Sequence, residues 1–141
     1  MKKLLFTGII LTLVCLLFAS CTAKKRNGNG DLWGTPMQNS VTVSGTARGH
    51  NELGIGVELT LVNGKITNVV LDLSNDTLIY TQLVQSRAPE IIIQQNTTNI
   101  DTIAGASETT RGIRRAGRKA LLQVPGVNES NVYPLRPGDA E

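Results

Sequence analysis

GIGVELTLVNGKITNVVLDLS, residues 54–74, decides the fold, because its pattern predicts two strands joined by a tight turn. Before the turn, apolar residues alternate along one face, at Ile55, Val57, Leu59 and Leu61. The turn is Asn63-Gly64, and this dipeptide between alternating runs is a strong signal of a β-hairpin. After the turn, apolar residues return at Ile66, Val69 and Leu71. The stretch therefore predicts an antiparallel pair of strands with one apolar face.

A further strand is predicted on the N-terminal side of this hairpin, over Val41–Gly49. Three consecutive strands form a meander, and its apolar face needs to be covered by helices to be stable in water. The expected fold class is therefore α+β. It comprises a small antiparallel sheet of three or more strands, starting as a meander, packed with two or three helices.

Downstream of the hairpin, the spacing of apolar residues predicts helices. Thr77–Ser86 has helical spacing, with Asp76 as its N-cap. Pro89 suits the first turn of a second helix of about two turns. After a loop or short strand, the last helix is expected from about Ser107 to a point before Pro125. Its predicted inward stripe is Ile113, Ala116, Gly117, Ala120 and Leu121.

The first residues are typical of an export signal. Lys2 and Lys3 precede an uncharged apolar run, Leu4–Ala19, which is shorter than the roughly 20 residues of a membrane span. The run ends in FASC, and Cys21 after small residues resembles the lipobox of bacterial lipoproteins. That resemblance implies cleavage before Cys21, acylation there by fatty acids such as palmitate, and an exported protein anchored to a bacterial membrane. An uncleaved membrane anchor is the alternative.

The chain is accordingly expected to have four segments within a length that suits one domain. They are a lipoprotein signal peptide, a lipidated flexible tether, the folded domain and a loosely packed C-terminal tail, over residues 1–20, 21–40, 41–123 and 124–141.

Composition excludes several kinds of site from the mature domain. Cys15 would leave with the signal and Cys21 would carry lipid, so no disulfide, cysteine nucleophile or cysteine-based metal site is expected. His50 is the only histidine, which excludes a histidine-rich metal site. Without Lys2 and Lys3, the 14 basic side chains become 12 against 11 acidic ones. This near-neutral balance gives no sign of nucleic-acid binding.

The candidate site is DTIAGASETT, residues 101–110. Gly105 permits a sharp turn, and the small side chain of Ala106 leaves space beside it. Ser107 is expected at the N-cap of the last helix, where unpaired N–H groups and the helix dipole favour a phosphate. The basic residues that follow are expected mostly on a solvated face, some pairing with a phosphate: Arg111, Arg114, Arg115, Arg118 and Lys119. On this reasoning alone, a simple helix cap is the alternative role for Ser107.

This decapeptide resembles the flavinylation motif of the FMN-binding domain family. The family includes flavin-carrying subunits of sodium-pumping NADH:quinone reductase and of Rnf complexes, and small lipoproteins. The matching positions are Asp101, Gly105, Ala106, Ser107, Thr109 and Thr110. The turn ending in Gly-Lys-Ile, the short helix before the motif and the helix after it also resemble the family, over Val43–Leu122. The resemblance implies that residues 41–123 form an FMN-binding domain.

The resemblance also implies a cofactor and a maturation partner. Ser107 corresponds to the residue whose hydroxyl is joined to the phosphate of FMN by a flavin transferase, which uses FAD and magnesium. Asp101 and Thr109 are then expected to support recognition or the phosphate, while Gly105 and Ala106 make room. Three residues of the matching glycine-rich strand are candidates for approaching the flavin ring, namely Gly45, Gly49 and His50. For His50, a role on the surface is favoured.

The implied function is electron relay by a membrane-anchored, extracytoplasmic flavoprotein, through FMN attached to Ser107 by a phosphoester bond. Its redox partner is not identified by the sequence. A carrier is favoured over a stand-alone enzyme, and no catalytic residue is predicted, since Ser107 has no base nearby in the sequence. Ala104 and Glu108 depart from the family pattern. They leave two alternatives open, which are a lipoprotein that binds FMN or another ligand noncovalently and a structural lipoprotein without a cofactor.

Overall fold

The computed structural model describes residues 40–51 and 54–140. Its elements in chain order are β1 (Ser40–Arg48), β2 (Gly54–Val62), β3 (Lys65–Asp72), α1 (Leu78–Gln95) and α2 (Ser107–Leu121). The predicted signal peptide, the lipidation site Cys21 and the tether before Ser40 lie outside the described residues. Neither helix within the described ranges combines the length and apolarity needed to cross a membrane.

The three strands form one antiparallel sheet in the order β1-β2-β3. Val43 pairs with Leu59 across the first interface, and Val57 pairs with Leu71 across the second. Asn63 and Gly64 both have positive φ, 51° and 75°, as a tight hairpin turn requires. The predicted meander and the α+β fold class are therefore confirmed.

The core lies between one face of the sheet and the two helices. The inward residues of β2 are at most 1 % exposed, at Ile55, Val57, Leu59 and Leu61. Helix α2 lies across β1 and β2, whereas α1 packs on β3. All five residues of the predicted inward stripe of α2 are buried. A Cβ atom on Gly45 would overlap the carbonyl oxygen of Ala116, so β1 and the backbone of α2 are in direct contact.

Helix α1 is one continuous helix, and the prediction of two helices divided near Pro89 is wrong. Pro89 costs about 3 kcal/mol inside a helix, because it lacks the N–H that would bond to the carbonyl of residue 85. A buried stripe nevertheless runs through it at helical spacing, at Thr81, Val84, Ala88 and Ile92. Burying two residues such as Val84 and Ile92 contributes roughly 1.5–3 kcal/mol each, which offsets the proline. The N-cap is Thr77, not the predicted Asp76.

The C-terminal segment packs against α2, so the prediction of a loosely packed tail is wrong for the described residues up to 140. Val132 is 5 % exposed and Asp139 is 1 % exposed. The Asp139 carboxylate accepts hydrogen bonds from Nε and Nη2 of Arg114, both at 2.7 Å. Arg114 and Arg115 are buried as well, which corrects their expected place on a solvated face. The reason is that the tail covers the side of α2 opposite the sheet.

Tyr133 ties this tail to the rest of the domain. Its hydroxyl donates to the carbonyl of Arg114 at 2.8 Å and lies 2.6 Å from the hydroxyl oxygen of Thr98, which is fully buried. Burial raises the pKa of Tyr133 to about 12, although the hydrogen bond from Thr98 acts in the opposite direction. Deprotonation of Tyr133 is therefore harder in the folded protein than in the unfolded chain.

Replacing Tyr133 with Phe is expected to remove part of the stability loss that the wild type shows in alkali. The stabilisation tied to the raised pKa is complete below pH about 10, the ordinary tyrosine value, and is lost as the pH rises towards 12. A shift of this size corresponds to roughly 2–3 kcal/mol. Urea unfolding from pH 7 to 12 measures it, with Tyr80→Phe as the control that keeps the alkaline loss. If the free energy of unfolding of Tyr133→Phe falls with pH as steeply as that of the wild type, the assignment is contradicted.

Candidate functional site

The loop before α2 makes a sharp turn that leaves Ser107 as the first residue of the helix. Gly105 has a φ of 85°, as expected for the turn, and the N–H of Ala106 donates to the carbonyl of Ile103 at 3.0 Å. The N-cap is therefore Ala106, one residue before the predicted Ser107, and no side chain caps the helix. Ser107 is exposed. The alternative that Ser107 serves only as a helix cap is thus not supported, because its hydroxyl makes no capping bond.

The start of α2 is an electropositive surface next to the Ser107 hydroxyl. The N–H of Thr110 donates to the carbonyl of Ala106 at 2.9 Å, so the helical bonding pattern begins there. The N–H groups of the three preceding residues have no intrahelical acceptor. They point out of the helix with the positive end of its dipole, which favours an anion at this position. The Glu108 carboxylate lies in the same first turn of α2. Its negative charge is partly balanced by Arg111, whose Nη1 lies 2.6 Å from Oε1 of Glu108.

Thr109 and Thr110, two of the predicted site residues, are completely buried. The Thr109 hydroxyl donates to Asp76 Oδ2 at 2.7 Å. The Thr110 hydroxyl donates to the carbonyl of Ala106 at 2.7 Å and lies 3.3 Å from the N–H of Ile103. Both hydroxyls are thus engaged inside the protein, where they hold the loop and the first turn of α2 in place.

Asp76 connects the start of α2 with two other segments. Its second oxygen, Oδ1, accepts from the N–H of Thr77 at 2.8 Å, and the Thr77 hydroxyl donates to Asn51 Oδ1 at 3.1 Å. This chain of bonds joins α2 to the start of α1 and to the turn between β1 and β2. Sequence reasoning missed this role, since Asp76 and Thr109 are 33 residues apart and Asp76 was interpreted as a helix cap.

Apolar side chains are exposed where α1 begins. Leu78 and Ile79 are 70 % and 71 % exposed. Beside them on the chain, Tyr80 meets His50 edge to face, with ring centroids 5.0 Å apart. These residues belong to the segments that Asp76 links to α2. The structure thus brings an exposed apolar surface and an aromatic pair to the same end of the domain as Ser107.

The remaining predicted residues occupy different surroundings. Asp101 is exposed and pairs with Arg136, whose Nη1 lies 3.0 Å from its Oδ1. Gly49 lies against Ile55 and Asp76 at the site end of the sheet. Gly45 instead lies beneath Ala116 and Ala120, in the second half of α2, and its approach to a flavin ring stays a prediction. Close packing of β1 on α2 is what requires this glycine.

A comparison with known protein families finds a match to this region. A family model described as an FMN-binding domain matches residues 49–122. The matched range starts at the turn between β1 and β2 and ends one residue after α2. It therefore contains the whole decapeptide at residues 101–110 and the complete chain of bonds from Asn51 to Thr109.

Proposed function

The chain belongs to the FMN-binding domain family, and from this premise we propose that it carries electrons through FMN bound covalently to Ser107. One observation carries the proposal within the family context. The Ser107 hydroxyl is exposed at the positive end of α2 and is not used as a helix cap. A phosphoester bond needs an accessible hydroxyl of this kind, and bound FMN supplies transfer of one or two electrons.

The residues around Ser107 suit the phosphate of FMN. A phosphodiester retains negative charge, which the unpaired N–H groups and the dipole of α2 stabilise. Glu108 departs from the family pattern, but its ion pair with Arg111 reduces repulsion of a phosphate. Ala104 lacks the usual hydroxyl, yet the turn is formed by Gly105 and by the bond from Ala106 to Ile103. These contacts support modification at Ser107 despite both departures.

We assign the flavin ring to the surface at the start of α1. Leu78 and Ile79 present apolar area that the core does not use, and exposed apolar patches commonly mark binding sites. The pair of His50 and Tyr80 borders the same segment. Asp76 and Thr109 have a positioning role in this arrangement, because their bond sets α1 against the first turn of α2.

The proposal extends to the location of the protein and its maturation. The basic start, the apolar run and FASC support export, with cleavage before Cys21 and a lipid anchor on that cysteine. FMN is then attached by a flavin transferase that requires FAD and magnesium. The domain serves as an extracytoplasmic carrier at the membrane surface and exchanges electrons with a redox partner. Noncovalent FMN binding is the second candidate, favoured by the acidic residue Glu108 directly after the acceptor.

Expression with and without a flavin transferase tests the proposal. We expect the denatured protein to show in-gel flavin fluorescence and a mass gain equal to FMN only when the transferase is present. Ser107→Ala is expected to lose both signals completely, because no acceptor oxygen remains, whereas Ser107→Thr retains them. Thr102→Ala is the matched control, since Thr102 is another exposed residue of the same loop and its hydroxyl oxygen lies 3.5 Å from Arg114 Nη1.

The outcomes separate the candidates. Covalent flavin that persists in Ser107→Ala would show that the acceptor is another residue. Flavin that is released on denaturation would replace the covalent proposal with noncovalent binding. Protein without flavin in either form would remove the basis for an electron-carrying role.

A further inference from the structure

A pocket lies between the second half of α2 and the C-terminal segment, away from Ser107. Its volume is about 130 Å³, and it is lined by Arg115, Arg118, Lys119, Leu135 and Asp139. That volume equals the share of about four water molecules in the liquid, so a group of a few heavy atoms fits. Arg115 follows Ser107 by eight residues, which is about 12 Å along the helix. A phosphate held at the start of α2 therefore does not account for this pocket.

Arg115 is the unusual residue of the pocket. Only 9 % of it is exposed. Its Nε is shut off from solvent and has no hydrogen-bond partner, and within the described part of the chain its guanidinium makes no ion pair. Burying a guanidinium is costly unless an acceptor is supplied, because its charge and donors lose their water. Among residues 40–51 and 54–140, the protein supplies no hydrogen-bond acceptor for this buried Nε.

The acidic side chain of the pocket, Asp139, forms no ion pair with Arg115 among the described contacts, although, beside the hydrogen bond from Arg114, the charge of Arg115 helps to lower the pKa of Asp139. Both oxygens of Asp139 accept hydrogen bonds from Arg114 at 2.7 Å, and Arg111 Nε lies 3.5 Å from one of them. The Asp139 carboxylate is therefore already shared by two other guanidinium groups. Three basic side chains and one engaged carboxylate line the pocket, so its lining residues carry more positive than negative formal charge.

Arg118 can contribute to a bound anion. Its guanidinium pairs with Glu129, whose side chain is 70 % exposed, and its Nε donates to the carbonyl of Tyr133 at 3.1 Å. The Glu129 side of this pair is screened by solvent, although the Arg118 side chain is only 16 % exposed. A bound anion would share Arg118 with Glu129 or take the place of that exposed carboxylate.

We propose that this pocket binds a phosphate group through Arg115, Arg118 and Lys119. The planar fork of a guanidinium matches phosphate oxygens with two parallel hydrogen bonds. Three cations suit a phosphate better than a singly charged carboxylate, and Leu135 provides an apolar wall on one side. The phosphate belongs either to the free anion or to the headgroup of a lipid. This site is independent of the modification proposed at Ser107.

Binding to the full chain in neutral detergent tests the site, with two probes at constant ionic strength. The probes are inorganic phosphate and glycerophosphoglycerol, the soluble headgroup of an anionic lipid, measured by titration calorimetry. We expect saturable binding of at least one probe, weakened about tenfold or more by Arg115→Gln. Lys119→Gln gives a similar loss without disturbing the interior, because Lys119 is exposed. Arg87→Gln removes an exposed arginine on α1 and should leave binding unchanged.

Tighter binding of inorganic phosphate assigns the pocket to the free anion, and tighter binding of glycerophosphoglycerol assigns it to a lipid headgroup. Lack of saturable binding of both probes would overturn the proposal. The same holds if Arg115→Gln and Lys119→Gln bind as the wild type does, or if Arg87→Gln loses as much affinity as they do.

Discussion

Asp139→Asn is expected to lower the free energy of unfolding by about 3–5 kcal/mol, the usual cost of breaking a buried ion pair from one side. Arg114 is 4 % exposed and Asp139 is 1 % exposed, so the pair has almost no access to water. The variant leaves the Arg114 guanidinium buried without its counter-charge. An asparagine can offer one acceptor oxygen, but its NH₂ group then faces a second donor. The loss of stability comes from this uncompensated charge.

The same pair predicts a loss of stability in acid. The hydrogen bond from Arg114 holds the pKa of Asp139 below its ordinary value, although burial acts against this. Because the folded pKa is lowered, the stabilisation is complete above pH about 4, the unfolded value, and is lost as the pH falls through the folded pKa. Asp139→Asn should therefore show a smaller loss of stability in acid than the wild type.

Asp101→Asn is the matched control for this experiment. Asp101 also pairs with an arginine, but its side chain is 93 % exposed. Exposed pairs are usually worth about 0–1 kcal/mol, so this variant should remain close to the wild type. Urea unfolding of both variants between pH 2 and 8 measures the difference. Equal, small losses in the two variants would contradict the assigned role of the buried pair.

Local patterns predicted the sheet and most of α2. The alternation from Ile55 to Leu61 and the turn at Asn63-Gly64 depend on neighbouring residues only, and both are confirmed. The predictions for Pro89 and for the C-terminal segment were wrong because long-range contacts decide the structure there. Pro89 indicates a helix start locally, but the buried stripe on both sides of it extends one helix through it. Asp139 and Arg114 are 25 residues apart, so no local pattern connects them.

For the candidate site too, the local motif predicted some features, and contacts between distant segments determine the others. The resemblance of residues 101–110 pointed to Ser107, and the family match to residues 49–122 supports FMN as the cofactor. The bond between Thr109 and Asp76 depends on how α1 and α2 meet, which no pattern within the decapeptide contains. The helix starts at Ser107 as predicted, but its N-cap is Ala106, because Gly105 and Ala106 complete the turn before Ser107. Ser107 is therefore the first residue of the helix and not its cap.

Gly45→Ala is expected to destabilise the protein by about 3 kcal/mol or more, at or beyond the upper end for overpacked cores. The added Cβ would overlap the carbonyl oxygen of Ala116 and lie 2.7 Å from the backbone nitrogen of Ala120. Both are backbone atoms of α2, so a rotamer change cannot relieve the clash. The helix as a whole has to move away from β1, which also opens the core beneath it.

Gly54→Ala is the control that separates this clash from the general effect of replacing a strand glycine. Gly54 belongs to the same sheet, and a Cβ atom there would have nothing within 4 Å. Its change in stability should stay within about 0.5 kcal/mol, as is usual for surface substitutions. Urea unfolding of both variants measures the difference. Because α2 starts at Ser107, Gly45→Ala should also reduce attachment of FMN by the transferase, while Gly54→Ala leaves it unchanged. A Gly45→Ala protein as stable as Gly54→Ala would show that α2 does not rest directly on β1.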